Sequence, residues 1–312
     1  MSAVKERVAG MNAEAGQFPG WIASQLPPGW RSSTIDTLGE RMHVLEWGPA
    51  KGPALLLVHG NPTWGFLWRK VVAAIRARPD GDELRLIVPD LIGLGLSSKP
   101  GIEAHTLAQH GAWMGAAIDQ LAAGPLVIAA QDWGAPISLL AMTTRRERLR
   151  GLVLGNTGIS PPHERFKPTL FHRLSQLPVA SDVLFRGLGF PLRSLHLSQG
   201  DRRSIRGDVA RAYRWPLERG TPAPLALARM VPDSLSHPSV ASLEMTHALF
   251  STLKAPIALV WGTRDPILGR VINHLERTRP DAKITRTEAG HFLQEEVPGA
   301  LADAILDVAG RA

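Results

Sequence analysis

The sequence predicts an α/β fold, a largely parallel eight-stranded sheet carrying an inserted helical cap, and two observations predict it. Short runs rich in Val, Leu and Ile recur between helical stretches, the pattern of strands buried on both faces by flanking helices. Between Asn156 and Pro256 that alternation fails, and amphipathic helical stretches with many prolines take its place. Strands are expected over 34–38, 42–47, 54–59, 84–89, 126–131, 152–156, 257–262 and 283–287. The first two lie so close around Gly39-Glu40 that they should form an antiparallel hairpin. Helices such as 106–122 and 298–308 separate the others, which makes the remaining sheet parallel. The cap is placed at 157–236, and the main domain at 1–156 and 237–312, to which a helix over 240–253 returns the chain.

Composition narrows the classes of function. A chain of 312 residues, 44% hydrophobic and 20% charged, is ordinary for one globular domain with an insertion. Its first twenty residues carry Lys5, Glu6, Arg7 and Glu14 with no continuous apolar stretch, and no run approaches bilayer length. A soluble, cytoplasmic enzyme without membrane insertion is therefore expected. The absence of cysteine excludes disulfides, thiolate nucleophiles and Cys-ligated metal sites. The net charge of +7 is concentrated in the cap, where 12 Arg or Lys stand against 6 Asp or Glu. No basic run is continuous and no nucleic-acid motif accompanies it, so Arg165, Arg202, Arg203, Arg206, Arg211 and Arg229 read as a solvated helical surface rather than a nucleic-acid site.

The chemistry concentrates at the ends of the expected strands. The strand 126–131 runs into Gln131-Asp132-Trp133-Gly134-Ala135-Pro136 and then into a helical stretch, the layout of a nucleophile elbow. Asp132 fills the nucleophile slot where many hydrolases carry Ser; a carboxylate can attack saturated carbon or a strained ring without a base to activate it. An Asp at this place also reads as a plain helix N-cap, so its chain context matters. His59-Gly60-Asn61-Pro62-Thr63-Trp64 follows the third strand, where this architecture supplies one oxyanion donor, the other being the backbone N–H of Trp133. The Asn61 amide and the Trp133 indole add two neutral donors suited to a departing halide. Trp261-Gly262-Thr263-Arg264-Asp265-Pro266 closes the seventh strand and Gly290-His291-Phe292 follows the eighth. The order Asp132, Asp265, His291 is that of the α/β-hydrolase triad, with His291 activating water and Asp265 fixing its tautomer. The other histidines show no metal-binding spacing, and Gly93 and Gly95 form no dinucleotide or Walker pattern, so neither cofactor nor metal is expected.

The segments HGNPTW, VPDLIGLGLSSKP, QDWGAP, WGTRDP and GHFLQEEVP resemble those of haloalkane dehalogenases, in register over the chain outside the cap. The resemblance implies hydrolytic dehalogenation of small haloalkanes through an ester on Asp132, with Asn61 and Trp133 as the halide pair. Within that family the triad acid follows either the sixth or the seventh strand; here the sixth ends in Asn156-Thr157, which leaves Asp265. The resemblance also implies a cis Asn61-Pro62 bond. The branch resembled includes β-lactone decarboxylases of long-chain olefin synthesis, which would use the same five residues, and that reading stays open. Epoxide hydrolases use cap tyrosines, of which this chain has only Tyr213, and usually carry an aromatic at the place of Asn61. Fluoroacetate dehalogenases set arginines beside the nucleophile, where Trp133 and Pro136 stand here. A catalytically silent ligand-binding member would usually lose a triad residue, and this chain keeps all three. The expected partners are a small apolar substrate and halide, in a pocket for which Phe166, Phe171, Phe185, Leu188 and Phe292 are the candidates.

Overall fold

The computed structural model describes residues 18–163, 170–177, 179–187, 189–218 and 220–312. Its sheet has eight strands in the order β1-β2-β4-β3-β5-β6-β7-β8. They are β1 (Arg31–Thr37), β2 (Glu40–Trp47), β3 (Ala54–Val58), β4 (Arg85–Pro89), β5 (Leu126–Gln131), β6 (Leu149–Gly155), β7 (Ile257–Gly262) and β8 (Lys283–Thr287). β1 and β2 form the expected antiparallel hairpin, with Thr37 opposite Glu40. Leu38 and Gly39 turn it with φ of 58° and 89°, as a two-residue turn matched to strand twist requires. β2 also pairs antiparallel with β4, and every pairing from β4 to β8 is parallel.

Alternation along the strands divides the core. Leu56 and Val58 of β3, Ile128 and Ala130 of β5, and Leu152 and Leu154 of β6 face one layer, with the helices Leu107–Leu121, Gly134–Met142 and Ser239–Thr252. Leu55, Leu57, Val127, Ala129 and Val153 face the other, with Arg69–Arg76 and Pro298–Arg311. The helix Gly134–Met142 is apolar around almost its whole circumference because it is enclosed between the sheet and its neighbouring helices.

Several expected boundaries move for local reasons. β1 and β6 each begin three residues earlier than the hydrophobic runs suggest, because Arg31-Ser32-Ser33 and Leu149-Arg150-Gly151 pair through their backbones without being continuously apolar. Thr106 and Ala122 cap the helix Leu107–Leu121 rather than belong to it; the Thr106 hydroxyl accepts from the Gln109 N–H at 3.1 Å. His59 and Asn156 lie just past their strands, where the chain turns into the site.

Between β6 and β7 the described residues contain helices and turns and no strand. This segment meets the C-terminal ends of the strands at several points. The Trp64 indole donates to the Ala212 carbonyl at 3.0 Å, the Thr221 hydroxyl to the Gly93 carbonyl at 2.9 Å, and the His291 N–H to the Ser198 carbonyl at 2.8 Å. Tyr213 donates its hydroxyl to Glu295, which is also gripped by Arg69 at 2.5 Å and 3.0 Å. Of the basic residues in the segment, Arg211 stacks on Trp21 at 4.2 Å and Arg229 bonds the Ser175 carbonyl and the Ser181 hydroxyl, while Arg202, Arg203 and Arg206 are exposed. Among the described residues no helix is long and apolar enough to cross a membrane.

Candidate active site

The strand order reverses between β4, β3 and β5, and open α/β sheets form their ligand crevices at such a switch point, beyond the carboxyl ends of the strands. Asp132 stands there, one residue past β5 and two before the helix Gly134–Met142, with a left-handed φ of 51°. A non-glycine residue holds that conformation only under constraint. Here the Asp132 N–H donates to the Asn156 carbonyl at 3.1 Å, and the Asp132 carbonyl accepts from the Thr157 hydroxyl at 2.7 Å. The turn also needs Gly134, where a Cβ would lie 2.5 Å from the carbonyl oxygens of both Val58 and His59.

The loop after β3 closes on the carboxylate from the other side. The Asn61 N–H donates to Asp132 Oδ1 at 2.8 Å, and the Trp133 N–H bonds the same carboxylate. Gly60 permits this approach, since a Cβ there would sit 2.3 Å from Asp132 Oδ1. Buried His59 pins the loop: its Nδ1 meets the Gly60 carbonyl at 2.9 Å, and its Nε2 accepts from the Leu91 N–H at 2.9 Å. Burial lowers the His59 pKa, so the ring serves as a neutral brace with its proton on Nδ1. The Asn61-Pro62 bond is cis. The Asn61 side chain donates from Nδ2 to the Pro224 carbonyl at 2.9 Å, which directs its second N–H elsewhere.

His291, after β8, presents Nδ1 to Asp265 Oδ2 at 2.8 Å and Nε2 to Asp132 Oδ2 at 3.7 Å, the latter too long for a hydrogen bond. Asp265, after β7, accepts from the Ile267 N–H at 2.7 Å and from Asn156 Nδ2 at 2.7 Å. Burial works against ionised Asp265, but the adjoining His291 and these donors hold its pKa below the ordinary value. Burial works against charged His291 as well, yet Asp265 and Asp132 together raise its pKa. For Asp132 burial prevails, and its pKa is raised although His291, Trp133 and Asn61 pull the other way. With Oδ1 held by the Asn61 N–H and Oδ2 out of hydrogen-bond reach of His291, the half-buried carboxylate is placed to attack.

The sequence profile of the α/β hydrolase fold family matches residues 53–298. Over 288 residues the chain is 32% identical to haloalkane dehalogenase 2 of Mycobacterium bovis, covering 91% of this chain and 96% of that one. The chain belongs to the haloalkane dehalogenase family. It is also 31% identical over 277 residues to the haloalkane dehalogenase of Mycolicibacterium paratuberculosis, covering 87% of this chain and 88% of that protein. Among solved structures, the haloalkane dehalogenase DatA of Agrobacterium tumefaciens C58 shares the fold with a TM-score of 0.79 over 92% of this chain and 99% of that one, at 24% identity.

The structure brings Asp132, Asp265, His291, Asn61 and Trp133 together as one cluster. It treats the expected pocket residues differently. Phe292 is buried in the core layer beneath the site, with its ring edge-on to His291 at 4.7 Å. Phe185 packs with Leu225 and Ala228 in a small cluster of its own. Phe166 and Leu188 lie outside the described residues, as does the side chain of Phe171, whose backbone belongs to the helix Leu170–Gln176.

Sequence reasoning set Asn156 aside because it is not acidic, and so missed what it does. Fully buried, it donates from Nδ2 to the Gly262 carbonyl at 2.9 Å as well as to Asp265, and its Oδ1 accepts from the Gly262 N–H at 2.7 Å. It therefore binds the end of β6 to the end of β7 and aims Asp265. Asn156→Ala should strip Asp265 of one donor and orphan the Gly262 N–H, costing about 1–3 kcal/mol of stability and roughly tenfold in turnover. Asp265→Asn, which loses the charge behind His291, should cost on the order of 10³-fold or more. Turnover and denaturant unfolding of the two variants check this, and the reverse ranking in turnover would refute the assignment.

Proposed function

We propose that the protein hydrolyses small haloalkanes to alcohol and halide through a covalent alkyl ester on Asp132. The observation that carries this reading is the state of the Asp132 carboxylate. One oxygen is held by the Asn61 N–H, the Trp133 N–H also bonds the group, and Oδ2 stands 3.7 Å from His291 without a hydrogen bond. A serine in this slot would need the imidazole bonded to it for activation; a carboxylate does not.

In the first step Asp132 Oδ2 attacks the carbon bearing the halogen, the carbon–halogen bond breaks, and halide departs toward the Trp133 indole and the second N–H of the Asn61 amide. The Pro224 carbonyl supports that role for Asn61, because a carbonyl only accepts and so fixes which end of the amide is nitrogen. In the second step His291 Nε2 takes a proton from water, and the resulting hydroxide attacks Cγ of the ester. Charge developing on Oδ1 is met by the Asn61 N–H already placed on it. Collapse expels the alkoxide, which takes the proton from His291, and the acid form of Asp132 loses its own proton to solvent. Each turnover thus releases one alcohol, one halide and one proton. Asp265 supports the transient imidazolium at 2.8 Å. The described residues of 157–236 act as the cap over the carboxyl ends of the strands and bound an apolar substrate site.

Purified protein should release halide and protons in equal amounts from 1-bromobutane and 1,2-dibromoethane, read by ion chromatography and pH-stat. Consumption of a cis-β-lactone with neither haloalkane touched would contradict the proposal. His291→Phe should release one equivalent of bromide and then stop, leaving the butyl mass on the peptide that contains Asp132; repeated turnover, or an adduct elsewhere, would overturn the division of roles. Trp133→Phe retains the ring and loses the N–H, so it should slow bromide release by about 10²-fold. Unchanged release would reduce the indole to packing.

A further inference from the structure

Gln131 is the last residue of β5, immediately before Asp132, and it is completely buried. A polar amide ending the strand Leu-Val-Ile-Ala-Ala costs free energy unless its groups find partners. Both of its contacts go to one residue: Nε2 lies 3.1 Å from His291 Nε2 and 3.2 Å from the His291 carbonyl oxygen. Oε1 is buried without a partner. Because the His291 carbonyl only accepts, the end of the amide facing it is the nitrogen, and the same NH₂ group points an N–H at the ring. His291 Nδ1 faces Asp265, so its proton belongs there and Nε2 meets Gln131 with its lone pair. This arrangement suits the neutral imidazole alone, since a proton on Nε2 would confront the N–H of Gln131.

That constraint has a purpose in the chemistry. The charged groups facing the ring are Asp265 and Asp132, and both favour the imidazolium. An imidazolium formed beside Asp132 before substrate arrives would pair with the nucleophile, draw charge from it and lack the lone pair that must later receive a proton from water. We propose that Gln131 is a positioning residue that keeps Nε2 of His291 unprotonated in the resting enzyme and so preserves both the free carboxylate and the waiting base. Once the ester forms, the charge of Asp132 is gone and the ion pair no longer competes. Water then takes the place of the Gln131 N–H at the Nε2 lone pair and delivers its proton there, and a half-turn of the amide that gives up the bond to the His291 carbonyl brings the unpartnered Oε1 round as an acceptor.

The kinetic half of this inference rests on the dehalogenase reading, whereas the titration does not, so the test begins without substrate. Nitrogen NMR of histidine-labelled protein, with the His291 signal assigned by its loss in His291→Phe, gives the titration midpoint and the tautomer. Gln131→Met removes both polar ends at nearly the same size, and its His291 midpoint should lie about one pH unit above that of the native protein, a tenfold change in the protonation equilibrium. A purely structural role would lower stability and leave the midpoint unmoved, and an unmoved or lowered midpoint overturns the proposal. If Gln131→Met does not fold, the native protein decides alone: neutral His291 with its proton on Nδ1 at neutral pH supports the proposal, and an imidazolium there refutes it. The acid limb of the bromide burst from 1-bromobutane should rise with the midpoint in Gln131→Met. A midpoint shift in a protein that releases no halide would sink the dehalogenase reading and leave Gln131 its role; halide release without the shift would do the opposite.

Discussion

The structure turns on a half-buried carboxylate at a forced bend. Asp132 has φ of 51° and lies between a strand enclosed on both faces and a helix buried almost all round. Such a group is expensive to bury unless donors replace the water it loses. The donors come from the backbone, through the Asn61 and Trp133 N–H groups, and the bend is held by Asn156 and Thr157. Apart from Trp133, which is next in sequence, each partner stands past the carboxyl end of a neighbouring strand, so the sheet order itself assembles the site. The missing side chains at Gly60 and Gly134 are part of the same constraint, since the strands and the helix could not approach so closely around any Cβ.

The same cluster is tied to the helical segment above it. Asn61 reaches the Pro224 carbonyl, His291 is bonded through its own N–H to Ser198, and Glu295, four residues after His291, takes the Tyr213 hydroxyl while paired with Arg69. The Arg69–Glu295 pair is almost completely buried. Loss of one partner in such a pair leaves an uncompensated charge, which costs more than the intact pair contributes. The orientation of Asn61 and the position of the His291 loop thus depend on how the segment carrying Ser198, Tyr213 and Pro224 seats on the main domain.

Much of this was legible in the amino-acid order. The strands β5 and β7 announced themselves as apolar runs of the right length, and Asp132, Asp265 and His291 stood past the ends of β5, β7 and β8 in a telling order. Neighbours that act through geometry were not legible. Asn156 has nothing to distinguish it until β6 and β7 are laid side by side, and Gln131 looks like an ordinary polar end to a strand until His291, 160 positions later, is found against it. The single tyrosine, Tyr213, counted in the sequence only against an epoxide-opening role; in the fold it donates to Glu295. Pocket residues were the least legible of all. Phenylalanine at helical spacing reads the same whether it faces a cavity or a core, and Phe292 went to the core.

The central claim is that oxygen reaches the substrate from Asp132 and that water repairs the carboxylate afterwards. A single turnover with enzyme in excess over 1-bromobutane, run in heavy-oxygen water, tests it most directly. Attack by Oδ2 followed by hydroxide addition at Cγ predicts butanol that carries ordinary oxygen, with the heavy isotope found on the peptide containing Asp132. Heavy oxygen in the alcohol of that first turnover would mean that water displaces the halide directly, and would contradict the account.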